Sequence, residues 1–283
     1  MELINVITLL IISFFAGVIG SLTGLGGASI ITPILVGLGM PLKYSIANAM
    51  ISVIATSSGS SAAYVRDRLT NPRAAMYLEV FTVLGGLIGA YITLITPAVY
   101  LYFFFALFLL TMLLFSQRIS LNESSQDSDD EDLDRFSRWL NIGGELYEPS
   151  KRSFIRYRMR RALVGGPMMM IAGVAAGSLG IGAGAFKTAI QETILGLPSR
   201  VASATSNFIV GMTGLAAVSV YIASGYVNPF IGGPLTLGTA LGSILGSRML
   251  PHISTKILRI LSIAVVLYLI TQMFYKGVTS LWI

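Results

Sequence analysis

Apolar segments long enough to cross a bilayer alternate with short polar segments along this chain. In the first half, the pattern predicts long helices over 3–21, 45–64, 74–95 and 98–117. In the second half, it predicts long helices over 162–180, 201–223, 230–250 and 256–275. Backbone groups find no water in lipid, so such segments must be helical. We therefore expect an all-α, multi-pass protein of the cell membrane, with four long transmembrane helices in each half.

A segment rich in glycine and proline follows the first helix of each half, over 23–39 and over 181–198. Glycine adopts backbone conformations that other residues resist, so each segment predicts a helix that stops and restarts. A restarting helix presents unpaired N–H groups and the positive end of its dipole, which together favour anion binding. Close helix packing through small residues is the alternative explanation for the glycines.

The second half of the chain repeats the first 157 positions later. Residues 84–90 return as 241–247, Gly39-Met40-Pro41 as Gly196-Leu197-Pro198, and Asn71-Pro72 as Asn228-Pro229. Such a duplication in an apolar chain is typical of transporters built from two homologous repeats. We expect repeats over 1–117 and 162–283, joined by a linker over 118–161.

Charged residues make up only 11% of the chain, and their positions predict its orientation. Basic residues cluster in loops at 65–73, 118–161 and 248–259, whereas 96–97 and 224–229 carry no charge. The positive-inside rule then places the basic loops in the cytoplasm. Equivalent loops of the two halves fall on opposite sides, so we predict inverted repeats in which each broken segment contributes a crossing. Eight helices in two parallel repeats are the alternative.

The linker over 118–161 has a different composition, with nine of the chain's 13 acidic residues followed by a basic cluster. The acidic part is typical of a solvated tether and the basic part of the cytoplasmic membrane surface. We expect a cytoplasmic tether that also fixes the topology. A scaffold or sensor that signals through this loop is the alternative.

Composition excludes several kinds of chemistry. The chain has no cysteine and one histidine, so disulfides, thiolate chemistry and Cys/His metal sites are excluded, and we expect no cofactor. The net charge of +6 lies mainly in loops beside apolar segments, so we expect no nucleic-acid partner. The glycine strings lack the context of a Walker or Rossmann motif. An intramembrane enzyme, with little beyond Glu192 to support it, is not expected.

Lys187 is the most informative candidate for binding, because it lies in a broken segment otherwise nearly free of charge. An ammonium inside a membrane protein usually has a partner or a function. We expect it to contact an anion, while Glu192 takes a proton or balances charge. A local Lys187–Glu192 pair, or a lysine that reaches the interface, is the alternative.

The other candidates are glycines, hydroxyls and amides of the broken segments and of the helices that follow them, which can replace the water around an oxyanion. With Lys187 they form the predicted substrate site: Thr23, Gly24, Gly26, Gly27, Thr32, Asn48, Gly182, Gly184, Thr188, Gln191, Thr205, Ser206 and Asn207. The same groups could instead make hydrogen bonds between helices.

The break Gly24-Leu25-Gly26-Gly27 with Thr32-Pro33, the helix start Ala204-Thr205-Ser206-Asn207 and the two-repeat plan resemble the sulfite exporter TauE/SafE family. The resemblance covers roughly 5–117 and 162–275. It implies transport of sulfite, sulfonate or thiosulfate, with proton coupling as an option.

Taken together, the sequence predicts a secondary transporter of small sulfur-containing oxyanions that works by alternating access. Its expected partners are a small anionic substrate and the lipid bilayer, and assembly as a homo-oligomer is left open. An anion channel built on the same site is the competing function.

Overall fold

A computed structural model describes residues 6–23, 27–119, 134–148, 153–249 and 255–281. The helices of the first half are α1 (Val6–Thr23), α2 (Gly27–Gly37), α3 (Leu42–Arg66), α4 (Pro72–Ile95) and α5 (Ala98–Ile119). The linker holds α6 (Arg135–Leu140), β1 (Gly143–Glu148) and β2 (Ser153–Arg158). The helices of the second half are α7 (Ala162–Leu179), α8 (Gly184–Thr193), α9 (Ser199–Ala223), α10 (Pro229–Met249) and α11 (Thr255–Thr279).

The long helices lie where the apolar pattern predicts them, with ends that differ by about one turn at most. By length and composition, α4, α7, α9 and α10 are suited to cross a membrane. Shorter apolar stretches cover Val6–Ser21, Gly27–Gly37 and Ala98–Thr111. The helix α3 is as long as α9 but richer in serine and threonine, and many of these polar residues are buried. It is therefore an interior helix of the bundle.

The linker departs from the all-α prediction, because β1 and β2 form a two-stranded antiparallel sheet with Gly143 opposite Arg158. Its inner side chains, among them Leu146 and Tyr157, pack in one apolar cluster with residues of α4, α7 and α9. Charge alone predicts a tether here, but alternate residues of β2 are apolar enough to dock on the bundle. The acidic run at 129–132 lies outside the described residues.

Contacts between helices establish that α1, α3 and α10 run in the same direction. Along α1 and α10 the contacts advance together, in the pairs Ser13–Gly238 and Ser21–Gly246. Along α3 and α10 they also advance together, in the pairs Ile51–Gly232 and Gly59–Ser243. Because α1 and α3 are parallel, α2 between them returns across the bundle.

The helices α4, α7 and α9 run in the opposite direction. Along α4 and α7 the contact pairs are Thr82–Gly173 and Ala90–Gly177, and along α4 and α9 they are Asn71–Thr205 and Gly86–Thr213. Between α3 and α9 the order reverses, with pairs Ser57–Gly211 and Ile54–Gly214. The end where α4, α7 and α9 begin carries the linker, and we call it the linker end; the opposite end is the far end.

Glycines make the two closest helix crossings possible. A Cβ at Gly85 or Gly89 of α4 would overlap backbone oxygens of Met170 or Val174 in α7. A Cβ at Gly242 of α10 would likewise overlap the Phe14 carbonyl oxygen in α1. The duplicated glycine run therefore serves helix packing, as small residues commonly do between membrane helices.

Candidate functional site

Both short helices begin near the middle of the bundle. A Cβ at Gly27, the first residue of α2, would lie 3.4 Å from the Ala16 carbonyl oxygen and from Thr56 Oγ1, midway along α1 and α3. At the start of α8, the Ser206 hydroxyl donates to the Gly184 carbonyl over 2.9 Å. From these starts α2 runs toward the far end and α8 toward the linker end, so their positive dipole ends lie at mid-depth.

The turn before α8 requires the residues that the sequence places there. Gly180 and Gly182 have φ angles of +68° and +57°, and Ala183 follows with +50°. Glycine adopts this left-handed region without the strain that a Cβ introduces. A Cβ at Gly182 would lie 2.9 Å from Val210 and 3.3 Å from Val53. The chain therefore turns tightly against α3 and α9, and no side chain caps the start of α8.

Lys187 lies in the first turn of α8 and is fully buried, with 0% of its surface exposed. Its Nζ donates to Thr213 Oγ1 over 2.9 Å, and Thr213 is in the middle of the 25-residue α9. Thr213 in turn donates to the Ile209 carbonyl. In the described part of the chain, no carboxylate pairs with Lys187. An ammonium has three donors, so two of them are available to a ligand.

Gln191 lies one turn after Lys187 on the same side of α8 and is also 0% exposed. Neither its Oε1 nor its Nε2 has a hydrogen-bond partner among the described residues. A buried amide without partners is costly, and such groups are rare in native proteins. An uncompensated ammonium and an unsatisfied amide on one helix face together point to a polar ligand.

The equivalent positions of α2 are apolar, because Ile30 and Ile34 stand 157 residues before Lys187 and Gln191. The polar candidate on α2 is Thr32, which is fully buried with its Oγ1 unpartnered among the described residues. The cationic part of the candidate site therefore belongs to the second half alone.

Two of the predicted site residues hold helix starts at opposite ends of the bundle. Asn48 Oδ1 accepts from the Asn228 backbone N–H over 3.0 Å, just before α10. Thr205 Oγ1 accepts from the Asn71 backbone N–H over 3.1 Å, just before α4. These bonds are equivalent under the 157-residue shift, and both anchor a loop to a buried helix.

Other predicted residues also bond to the backbone. Ser206 is tied to Gly184, and the Asn207 amide donates to the Ser203 carbonyl over 3.0 Å. Thr188 is half-buried. Ser206 and Thr188 therefore lie at the first turns of α8, whereas the described bond of Asn207 stays within α9.

The remaining candidates are Glu192 and the residues at and after the end of α1. Glu192 is half-buried near the end of α8, and it is not the partner of Lys187. Thr23 ends α1, although its side chain is outside the described part. Gly24 and Gly26 also lie outside the described residues.

Sequence reasoning missed Thr213, which holds the ammonium. A signal was present, since Thr56 and Thr213 are 157 residues apart and thus equivalent in the two halves. Both are buried next to the first turn of a short helix.

The linker covers the end of α8. The Asn71 amide donates to Tyr157 Oη over 3.1 Å and to the Gly143 carbonyl over 3.2 Å. The Arg160 N–H donates to the Leu195 carbonyl just after α8. Burial raises the pKa of the Tyr157 phenol, and the bond from Asn71 lowers it by a smaller amount. The linker and the 67–71 loop therefore lie at the same end of the molecule.

The chain is similar in sequence to known membrane transporters. The sequence matches the sulfite exporter TauE/SafE family over residues 9–273. It is similar to the probable membrane transporter protein YunE of Bacillus subtilis (strain 168), with 24% identity over 97% of this chain and 99% of the relative. No solved structure gives a significant match. The chain therefore belongs to the sulfite exporter TauE/SafE family, and it is a membrane transporter rather than an enzyme.

Proposed function

We propose that this protein is a secondary transporter of small sulfur-containing oxyanions, of the sulfite, sulfonate or thiosulfate class, and that Lys187 binds the substrate. The observation that carries the proposal is the fully buried ammonium of Lys187, whose described partner is the neutral hydroxyl of Thr213. A charge held in this way inside a membrane protein is expensive unless a ligand of opposite charge visits it. The unpartnered amide of Gln191 supplies further donors to such a ligand.

We propose inverted repeats as the basis of alternating access. The first helices of the two halves, α1 and α7, run in opposite directions, and so do α3 and α9. The first helix of each half packs on the fourth helix of the other half: α1 on α10 and α7 on α4. Such reciprocal packing suits a bundle in which one repeat rocks against the other around a central site.

The full burial of Lys187 favours a carrier over an open channel, because an open channel would expose its binding groups to water. Access then requires α8 or its neighbours to move. We place the linker and the linker end in the cytoplasm, on the basic loops that gather there.

The proposal is tested by flux of radiolabelled sulfite and methanesulfonate into liposomes that contain the purified protein. We expect saturable uptake and accelerated exchange when unlabelled anion is present on the opposite side, as carriers show. Lys187→Met should abolish flux while the protein remains folded. Lys43→Met is the matched control, since Lys43 donates to the Leu94 carbonyl at the end of α4, away from the site. Undiminished flux in Lys187→Met would reject the role of this lysine.

Proton coupling through Glu192 is a separate part of the proposal, and it has its own test. We expect an inward proton gradient to change sulfonate flux and Glu192→Gln to remove that response. Glu79→Gln in α4 is the matched control, because Glu79 is also a half-buried carboxylate in an apolar helix. If the response survives in Glu192→Gln but not in Glu79→Gln, the proton carrier is Glu79.

A further inference from the structure

We infer that the Lys187 site is selective for substrates with a single negative charge, such as a sulfonate or hydrogen sulfite, over dianions such as thiosulfate and sulfate. The inference rests on the proposed function and narrows its substrate class. It follows from the number of charges that the buried part of the bundle can offer to a ligand.

The buried charge at the site amounts to one cation. Lys187 is the only buried charged side chain among the described residues. Its surroundings supply neutral groups: the hydroxyl of Thr213, the amide of Gln191 and the backbone of the first turn of α8. The site therefore has many hydrogen-bond donors but a single unit of formal charge.

The other charged groups on the helices around α8 lie toward the linker end. On α4, Arg73 is in the first turn and Glu79 lies about two turns in; on α9, Arg200 is the second residue. The start of α7 has Arg161, and on α8 itself Glu192 is half-buried near the helix end. None of these side chains is among the buried charged residues in the described part of the chain. The equivalent segment α2 adds no cation, because Ile30 replaces the lysine.

The charge balance decides which anion can be carried. A monoanion beside the Lys187 ammonium forms a neutral pair, so the loaded site brings no net charge into the low-dielectric interior. A dianion leaves one surplus charge there, and hydrogen bonds from neutral groups reduce that penalty without removing it. Because the penalty applies to the dianion and not to the monoanion, the site discriminates by charge at similar size and shape.

The test compares anions of similar size by their ability to stabilise the purified protein against heat and to compete with labelled methanesulfonate flux. We expect methanesulfonate to bind at least about tenfold more tightly than sulfate or thiosulfate, which corresponds to about 1.4 kcal/mol. Sulfite should compete well below neutral pH, where hydrogen sulfite predominates, and poorly above it. Methanesulfonate keeps its charge over this range, so a matching loss of its own binding would place the titration in the protein and contradict the inference.

Variants sharpen the test. Lys187→Arg keeps one positive charge and should keep the preference for monoanions. Gln191→Lys adds a second cation one turn away and should raise the relative affinity for thiosulfate by about tenfold. If Gln191→Lys does not fold, Thr188→Lys adds the second cation at the half-buried position next to Lys187 in α8 and carries the same expectation.

The outcomes separate the inference from the function on which it rests. Tighter binding of monoanions supports both. Equal or tighter binding of thiosulfate or sulfate, still lost in Lys187→Met, overturns charge selectivity and leaves the proposed transporter intact. If no sulfur oxyanion binds or moves, the proposed function fails, and the inference fails with it.

Discussion

The two broken segments of this protein have matching positions but different chemistry. Each follows the first helix of its half, restarts as a short helix near mid-depth, and packs beside an equivalent threonine, Thr56 or Thr213. On α8 the first turns carry Lys187 and Gln191, whereas the matching positions of α2 hold isoleucine. The two broken segments therefore share a backbone arrangement, but among the described residues only the second carries a buried cation.

The largest effect should follow from removing the Lys187 ammonium, which distinguishes α8 from α2. Lys187→Met deletes the buried cation, and we expect substrate affinity to fall about a hundredfold, because truncating one partner of a buried charge pair removes several kcal/mol. Ile30→Met at the equivalent position should change affinity by less than about twofold, since a swap of similar volume is well tolerated. Competition with labelled methanesulfonate measures both. Equal losses in the two variants would contradict the assignment of the site to the second half.

The second prediction concerns packing, which the two halves share. Gly85→Ala and Gly242→Ala each place a methyl group on a backbone oxygen of the facing helix. We expect each to lower the free energy of unfolding by about 1–3 kcal/mol, the usual cost of overpacking. Gly233→Ala is the control in α10, because its Cβ would have no neighbour within 4 Å. Thermal unfolding in detergent gives the comparison, and a stable Gly85→Ala protein would count against the close crossing of α4 and α7.

The third prediction compares the equivalent anchors at the two ends. Asn48→Ala removes three hydrogen bonds: the one that Asn48 accepts from the Asn228 N–H and the two that its amide donates to backbone carbonyls. Thr205→Val removes only the bond that Thr205 accepts from the Asn71 N–H. We expect losses of stability of about 2 kcal/mol and about 1 kcal/mol respectively, by the number of hydrogen bonds broken. A loss of transport without a loss of stability would instead assign these residues to the substrate site.

The smallest effect should come from the linker end, whose Asn71 contacts the β-hairpin. Tyr157→Phe removes the acceptor of one Asn71 bond and should lower stability by about 0.5–1 kcal/mol. Burial raises the pKa of Tyr157 in the folded protein, so the unfolded chain loses its phenol proton first, and stability should fall as pH rises above about 10. Apart from this constant difference, the stability curves of the two proteins against pH should diverge in this alkaline range alone. An identical alkaline loss in Tyr157→Phe would assign that loss to another group.

Some features of the fold could be predicted because their signals are local. Apolar segment length predicts each long helix, and glycine at 180 and 182 predicts the turn before α8, where both residues have positive φ. The hairpin was missed because its signal is weak: six residues per strand, in a linker dominated by charge. Its inner face is recognisable only once Leu146 and Tyr157 are seen against the bundle.

The sequence by itself determined the class of the protein and its family resemblance, and it singled out Lys187 as a candidate, because hydropathy, motifs and an isolated charge are all readable along one dimension. The tertiary structure decided which polar candidates support helix starts and which remain candidates for binding a ligand. Asn48 and Thr205 hold helix starts, whereas Lys187 meets Thr213 and Gln191 has no described partner. That division depends on which side chains from distant segments meet, and a buried polar group is defined by its partners rather than by its position in the chain.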